Sequence, residues 1–456
     1  MCGVIAIHST TATEKIPYEV FEGLMALQHR GQDSVGIAND SCTVKRAGLV
    51  KYAFKNDDLS KLKGQMCIGH VRYATNGVSN NIQPLYSLLP VRTTLCHNGN
   101  ITNIEEIKQL LKTKYMVSVH TNSDSELILI LFNVKLHELL RNEYTIQPET
   151  INIISEYLHN TLIGSFCLLI TIQDYGLIVI RDSRGIRPLI WGQNGNKNII
   201  ASESVSLNLL NYTVVRDVLP GETIIFDNQR ENPIHFYREN ILLEPCLFEY
   251  IYFARPDSSI ENISVHQARI IIGNLMGEKI QNKWDSSQID VIVPVPDTSI
   301  TFANGIQDVI HKPIREGFIK NRYIDRTFIM ENNNMIQRNI KRKLTGIETV
   351  FAGKNVLIVD DSIVRGNTCR HIIEIARNYG AKTIYFASCA PIIKSTNIYG
   401  IHIPTKKELI SFESTEDDIR NKIEVDYLIY NDLDTITNEL KKLNPNIHHF
   451  EISMFL

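Results

Sequence analysis

At 456 residues the chain exceeds one ordinary hydrophobic core, so two domains are expected. Its 43% hydrophobic and 21% charged residues are the balance of a globular protein that folds in water. A formal net charge of −3 excludes broad binding to nucleic acid or to an anionic membrane surface.

Eight cysteines stand singly, none in a Cys-x-x-Cys pair or a zinc-like spacing, as expected of core fillers in a reducing compartment. No apolar run reaches the length of a membrane-spanning helix. The N-terminus also lacks a basic segment ahead of an apolar one, so a cytoplasmic location is expected.

In chain order, the first informative residue is Cys2 of Met1-Cys2-Gly3-Val4-Ile5-Ala6. Removal of Met1 next to a small residue leaves a thiol and a free α-amine on one residue. Such an amine titrates at about 7.7–8.0 in general, so it can take a proton as the sulfur attacks. Four strings follow: Gln28-His29-Arg30-Gly31-Gln32-Asp33, Gly69-His70-Val71-Arg72-Tyr73-Ala74-Thr75, His97-Asn98-Gly99-Asn100 and Asn122-Ser123-Asp124-Ser125-Glu126. Taken alone, each reads as a turn or a solvated charge. A helix is expected to open at Asp124, and strands over 176–180 and 221–226. This mixture predicts an α+β layered domain over residues 2–235.

A weakly marked boundary falls at 232–247, and residues 236–456 form the second domain. Strands are expected at 289–294, 355–359 and 383–387, with a helix at 368–379 closed by Gly380. Strand–helix–strand in that order predicts a parallel α/β sheet. Val359-Asp360-Asp361-Ser362-Ile363-Val364-Arg365-Gly366-Asn367-Thr368 lies between a buried strand and a helix N-terminus. Sheets of this kind bind anions there. Two adjacent carboxylates are costly to bury, which places Asp360 and Asp361 at the strand end, reaching polyol hydroxyls or a cation. A basic run, Lys320 to Lys343, precedes this string and reads by default as a solvated face.

The ten-residue string resembles the substrate loop of the type I phosphoribosyltransferases. By that resemblance Asp360 and Asp361 hold the ribose hydroxyls of phosphoribosyl pyrophosphate (PRPP). Ser362, Ile363, Val364, Arg365, Gly366, Asn367 and Thr368 take its 5-phosphate. Pro294 to Ser299 resembles the pyrophosphate-side loop, and Thr298 joins Asp360 and Asp361 around one Mg²⁺ per subunit. Lys320, Arg326 and Arg338 belong to a lid over PRPP. Cys2 with the four strings resembles the class II, N-terminal-nucleophile glutamine amidotransferases, whose fold is a four-layer αββα sandwich. In that family Cys2 is the nucleophile, while Asn98 and Gly99 form the oxyanion hole. Arg72 pairs the glutamine carboxylate, Asp124 its ammonium, and Thr75 lines the pocket.

Together the halves resemble the glutamine phosphoribosylpyrophosphate amidotransferase family, which turns glutamine, PRPP and water into 5-phosphoribosylamine, glutamate and pyrophosphate at the start of purine synthesis. The resemblance implies a homotetramer inhibited by purine nucleotides, and no propeptide beyond Met1. The chain departs from it in three places. Glu331-Asn332-Asn333-Asn334 and Ile336 alter the lid. Only Cys246 of four cluster cysteines is present, with Asn397 at another position, so no iron–sulfur cluster is expected. A C-terminal helical extension is also expected to be missing. The same N-terminal module serves hexosamine-phosphate, asparagine and glutamate synthases, but residues 355–368 point to PRPP. A non-enzymatic PRPP sensor is disfavoured by Cys2, Arg72, Asn98 and Asp124 together.

Overall fold

The computed structural model describes residues 2–73, 81–140, 145–239, 241–321, 344–401 and 405–456. The expected Thr75, Arg326 and Arg338, with the departures at 331–338, lie outside the described residues.

Among the described residues, thirteen strands build the first half. They are β1 (Gly3–Thr13), β2 (Ser34–Ala38), β3 (Thr43–Ala47), β4 (Gly64–Arg72), β5 (Leu85–Ser87), β6 (Thr93–Ile101) and β7 (Gly164–Ile172). After them come β8 (Gly176–Arg181), β9 (Ile190–Asn194), β10 (Lys197–Ala201), β11 (Thr213–Asp217), β12 (Thr223–Asp227) and β13 (Ile234–Phe236). They form two sheets, ordered β11-β9-β10-β1-β4-β2-β3 and β13-β12-β8-β7-β6-β5, with antiparallel pairing throughout.

β1 shows why the sheets stack. Its side chains alternate between two faces, and both faces are apolar. Val4 and Ala6 enter the core between the sheets with Cys96, Cys167, Leu169 and Val179. Ile5 and Ile7 point the other way, under the helix Ile16–Ala26. On the far side, the helices Ile104–Tyr115, Asp124–Leu140 and Pro148–Thr161 cover the second sheet. The result is the expected four-layer αββα sandwich.

The expected division at 235 falls inside β13, which pairs with β12 through Thr223–Phe236 and Ile225–Ile234. The sequence missed this because the strand is short, half-buried and preceded by Pro233. By Cys246 and Leu247 the chain has joined the second core, where Leu247 N donates to Glu451 O at 3.1 Å.

The second half opens with a small hairpin, β14 (Ser259–Ile260) and β15 (Ile263–Ser264). Its main sheet is fully parallel and contains β16 (Val291–Pro294), which precedes a separate pair, β17 (Phe318–Lys320) and β18 (Leu344–Gly346). The sheet continues with β19 (Asn355–Asp360), β20 (Thr383–Ser388) and β21 (Tyr427–Tyr430), in the order β16-β19-β20-β21. Its strands are apolar on both faces, as a doubly covered parallel sheet requires. Helices Val265–Lys283, Ile300–Ile310 and Leu433–Leu443 pack one face, and Asn367–Asn378 and Glu416–Ile423 the other. Ile372, Ile373, Ile375 and Ala376 form the buried stripe of the helix Asn367–Asn378, and Gly380 follows it with φ 87°.

Candidate active sites

The first site gathers at neighbouring strand ends in the sandwich. Cys2 precedes β1, and its N lies 3.4 Å from Asn98 Oδ1 on β6. Asn98 is 1% exposed, and its Nδ2 has no hydrogen-bond partner among the described residues. A buried amide N–H₂ is costly to leave unpaired, so an unspent donor beside a thiol marks where an acceptor is meant to sit. Gly99 follows. A Cβ there would stand 2.0 Å from Ser165 O on β7, so only glycine lets β6 run this close to its neighbour.

Arg72 ends β4, half-buried, two residues from His70 on the same face. Gly31 makes room for it: a Cβ at 31 would meet Arg72 C at 2.4 Å. Asp124 begins the helix Asp124–Leu140. One of its oxygens accepts from Ser125 N at 2.7 Å, the other from Ile101 N at 3.3 Å. Behind it, His97 Nδ1 meets Ser125 Oγ at 3.0 Å, and Gln83 Oε1 accepts from His97 N at 2.6 Å. The sequence gives Ser125 no role within its string and offers nothing at Gln83. Ser125 stands beside Asp124 in its string, but Gln83 lies 14 residues before His97 and leaves no signal in the sequence.

Arg30 lies in the Gln28–Asp33 string, where the sequence assigns it no role. It is 1% exposed, and its Nε donates to Cys2 O at 3.0 Å. Its other nitrogens pair with Glu203 and Glu249, both almost fully buried. These carboxylates hold the Arg30 guanidinium well above its ordinary range against the opposing effect of burial. Arg30 in turn contributes most to holding Glu203 below the usual carboxylate range despite burial.

The second site lies beyond the carboxyl ends of β16 and β19. Asp360 is the last residue of β19 and Asp361 the next, but both are buried, at 6% and 7% exposure. Burial there corrects the expectation from cost alone. Neighbouring donors make it possible: Thr298 Oγ1 donates to Asp361, and Ser362 Oγ donates to it at 2.8 Å. Ser299 Oγ reaches Asp360 at 3.4 Å, and Asp361 N donates to Asp360 Oδ1 at 3.0 Å. Even so, burial holds both carboxyls above the usual range, and for Asp360 the adjacent Asp361 charge adds to it.

Gly366 caps the following helix at φ 78°, where a side chain would strike Ile410 Cδ1 at 2.3 Å. Asn367 and Thr368 sit exposed in the first helical turn, where backbone N–H groups are free of intrahelical partners. Ile363 turns its side chain into the core, and Arg365 pairs with Glu408 at 2.8 Å. Lys320 Nζ lies 3.0 Å from Asp297 Oδ2, at the loop after β16.

Among the described residues no cluster of three or more His, Cys, Asp or Glu forms a ready metal cage. Two buried, mutually repelling carboxylates with a hydroxyl still fit Mg²⁺, which keeps waters and takes its remaining ligands from phosphates. Where an iron–sulfur ligand was considered, Asn397 Nδ2 donates to Glu451 Oε2 at 3.1 Å, and Cys246 bridges to Glu451 through the backbone.

A loop of the second half reaches the first site. Asn100 Nδ2 donates to Ile398 O at 2.8 Å, and Ser165 Oγ and Arg187 Nε donate to Tyr399 O at 2.8 and 2.9 Å. A Cβ on Gly400 would lie 3.2 Å from Gly99 O.

Comparison with known proteins agrees with this geometry. Residues 70–208 match the glutamine amidotransferase domain family, and residues 259–397 the phosphoribosyl transferase domain family. The chain is 42% identical to the amidophosphoribosyltransferase of Pasteurella multocida and 40% identical to that of Escherichia coli. Each match covers 100% of this chain and 92% of the relative. A solved structure of glutamine PRPP amidotransferase from B. subtilis, complexed with ADP and GMP, superposes with a TM-score of 0.83 at 35% identity. It covers 96% of this chain and 92% of that one. The fold and the paired sites define a glutamine amidotransferase joined to a phosphoribosyltransferase. The chain belongs to the amidophosphoribosyltransferase family, whose members move nitrogen from glutamine to PRPP.

Proposed function

We propose that Cys2, with Met1 removed, attacks the side-chain amide carbon of glutamine while its own α-amine accepts the thiol proton. Asn98 Nδ2 and Gly99 N–H take the oxyanion that forms, and the amine passes its proton to the departing ammonia. A glutamyl thioester is left on Cys2, and water hydrolyses it to glutamate. Arg72 grips the substrate carboxylate by a two-pronged match and Asp124 its ammonium, with Thr75 at the pocket wall.

At the second site Asp360 and Asp361 hold the ribose hydroxyls, and the amides of Ser362 to Thr368 with the helix N-terminus hold the 5-phosphate. Ammonia attacks the anomeric carbon, the bond to pyrophosphate breaks, and loss of a proton leaves 5-phosphoribosylamine. Thr298, Asp360 and Asp361 would hold Mg²⁺, which supplies charge stabilisation for the departing pyrophosphate. Lys320, with Arg326 and Arg338, supplies positive charge on that side.

The chain divides after Phe236, works in the cytoplasm as a homotetramer without an iron–sulfur cluster, and answers to purine nucleotides; the nucleotides named for the B. subtilis structure support the last of these alone. Among the described residues no helix is long and apolar enough to cross a membrane.

The observation that carries this reading is the buried Asn98 amide. Its oxygen is taken up by the Cys2 nitrogen and its N–H₂ is unspent. The test is pyrophosphate release from PRPP with glutamine or with an ammonium salt. Cys2→Ala should abolish the first and keep the second. A variant equally active with glutamine would overturn the assignment.

A further inference from the structure

The protein treats the two carboxyl oxygens of Asp360 unequally. Oδ1 accepts from Asp361 N at 3.0 Å and from Ser299 Oγ at 3.4 Å. Among the described residues, Oδ2 accepts only from Cys369 Sγ, at 3.8 Å. Each oxygen of a carboxylate has room for two donors, so Oδ1 is filled from within and Oδ2 keeps one place open. A buried acceptor left partly unmatched is costly, and Asp360 is only 6% exposed. The open place marks where the donor of a ligand completes the group.

The fold sets the thiol behind this carboxyl. Side chains alternate along β19, so Asp360 faces the same way as Ile358. Ile358 packs with Cys369, Ile372 and Ile373 of the helix Asn367–Asn378, and Cys369 is 2% exposed. The main chain is held as well: Asp360 O accepts from Cys389 N at 2.9 Å and Asp361 O from Ala390 N at 2.7 Å. What remains free is rotation of the carboxyl group about its side-chain bonds, and contacts at both oxygens stop it. A thiol shut away from water beside a carboxyl keeps its proton, so sulfur is the donor. It donates weakly, which orients Oδ2 without saturating it.

We infer that Cys369 is a positioning residue for the sugar of PRPP: its thiol aims Asp360, whose Oδ2 then accepts from a ribose hydroxyl. Cys369 itself stays behind the carboxyl, in the apolar layer between sheet and helix. Its effect is on how tightly the sugar is held and not on how the bond to pyrophosphate breaks. This inference deepens the function proposed above and rests on it.

The experiment compares the full-length wild type with Cys369→Ala, Cys369→Ser, Asp360→Asn and the double variant of Cys369→Ala with Asp360→Asn. Pyrophosphate release with ammonium salt gives kcat and the KM for PRPP. Calorimetry with ribose 5-phosphate and no added Mg²⁺ gives a Kd for the sugar contact alone, since that probe lacks the pyrophosphate. Cys369→Ala should raise both the KM and the Kd by about fivefold to tenfold. Its kcat should stay within about threefold, because a contact made equally before and during reaction shows in KM. Cys369→Ser keeps a donor and should return both constants to within about twofold of the wild type. In the Asp360→Asn background, Cys369→Ala should add nothing, because the thiol acts through that carboxyl. If Cys369→Ala does not fold, Cys369→Val fills the space without a donor and carries the same expectations. Unmoved constants, a serine no better than alanine, or an equal loss in both Asp360 backgrounds would overturn the inference. A lowered melting temperature and kcat with an unchanged KM would mean packing alone and do the same. A wild type that makes no pyrophosphate from PRPP and ammonia would instead sink the functional reading, with ribose 5-phosphate binding still deciding on the thiol.

Discussion

The two halves of this chain build their sites in opposite ways. The phosphoribosyl half strings most of its candidate ligands along one segment, Asp360 to Thr368, where a strand end runs directly into a helix start. The sandwich half assembles its site from β1, β4, β6 and the start of a helix, with Cys2 and Asn98 96 residues apart. A site of the first kind is set by one loop. The second kind is set by strand register, so a change in any of several strands reaches it.

That contrast fixes what substitutions should do. The largest effect is expected from Asn98→Ala, which removes a donor aimed at the oxyanion. Glutamine-dependent turnover should fall roughly 10²–10³-fold while ammonia-dependent synthesis holds, measured as pyrophosphate release. Loss in both assays would erase the proposed separation of the sites. Asp361→Asn should cut synthesis with either nitrogen source by roughly a hundredfold, equivalent to about 2.7 kcal/mol of barrier. An effect confined to glutamine would mean that the second site is misplaced. Arg72→Lys loses the two-pronged grip, so the KM for glutamine should rise about tenfold with the KM for PRPP unmoved.

A last expected effect is on stability and is read from two rings of the sandwich. Burial lowers the pKa of His8 to about 4 and of His70 to about 3, so the fold favours their neutral rings. Their contribution is complete above the unfolded value of about 6.5 and is lost as the pH falls through that value towards 4 and 3. The slope is at most about 1.4 kcal/mol per pH unit for each ring. Denaturant titrations between pH 7 and 4 will show it. Buried carboxyls such as Asp217 titrate in the same window with the opposite sign, so His8→Asn and His70→Asn isolate the two rings, and a slope equal to that of the wild type would exclude the buried neutral state.

The sequence carried the second site almost whole, because contiguity and chemistry coincide there. It carried the residues proposed as nucleophile and oxyanion donors of the first through a set of short strings. It could not carry the use of Arg30, whose partner Glu249 lies 219 residues away and whose role depends on two domains meeting. Nor could it say that Asp360 and Asp361 are buried, since the donors that permit this come from Thr298 and Ser299, on another strand's loop. The β13 strand was lost for a third reason: half-buried edge residues leave no alternating pattern to read.

The meeting of Gly400 with Gly99 has one more consequence. Side chains absorb small displacements by changing rotamer, but two bare peptide units have nothing to rotate. The aim of the Gly99 amide is therefore as accurate as the seating of one half of the molecule on the other. Any drift at that seam arrives undamped at the atom proposed to meet a negative charge.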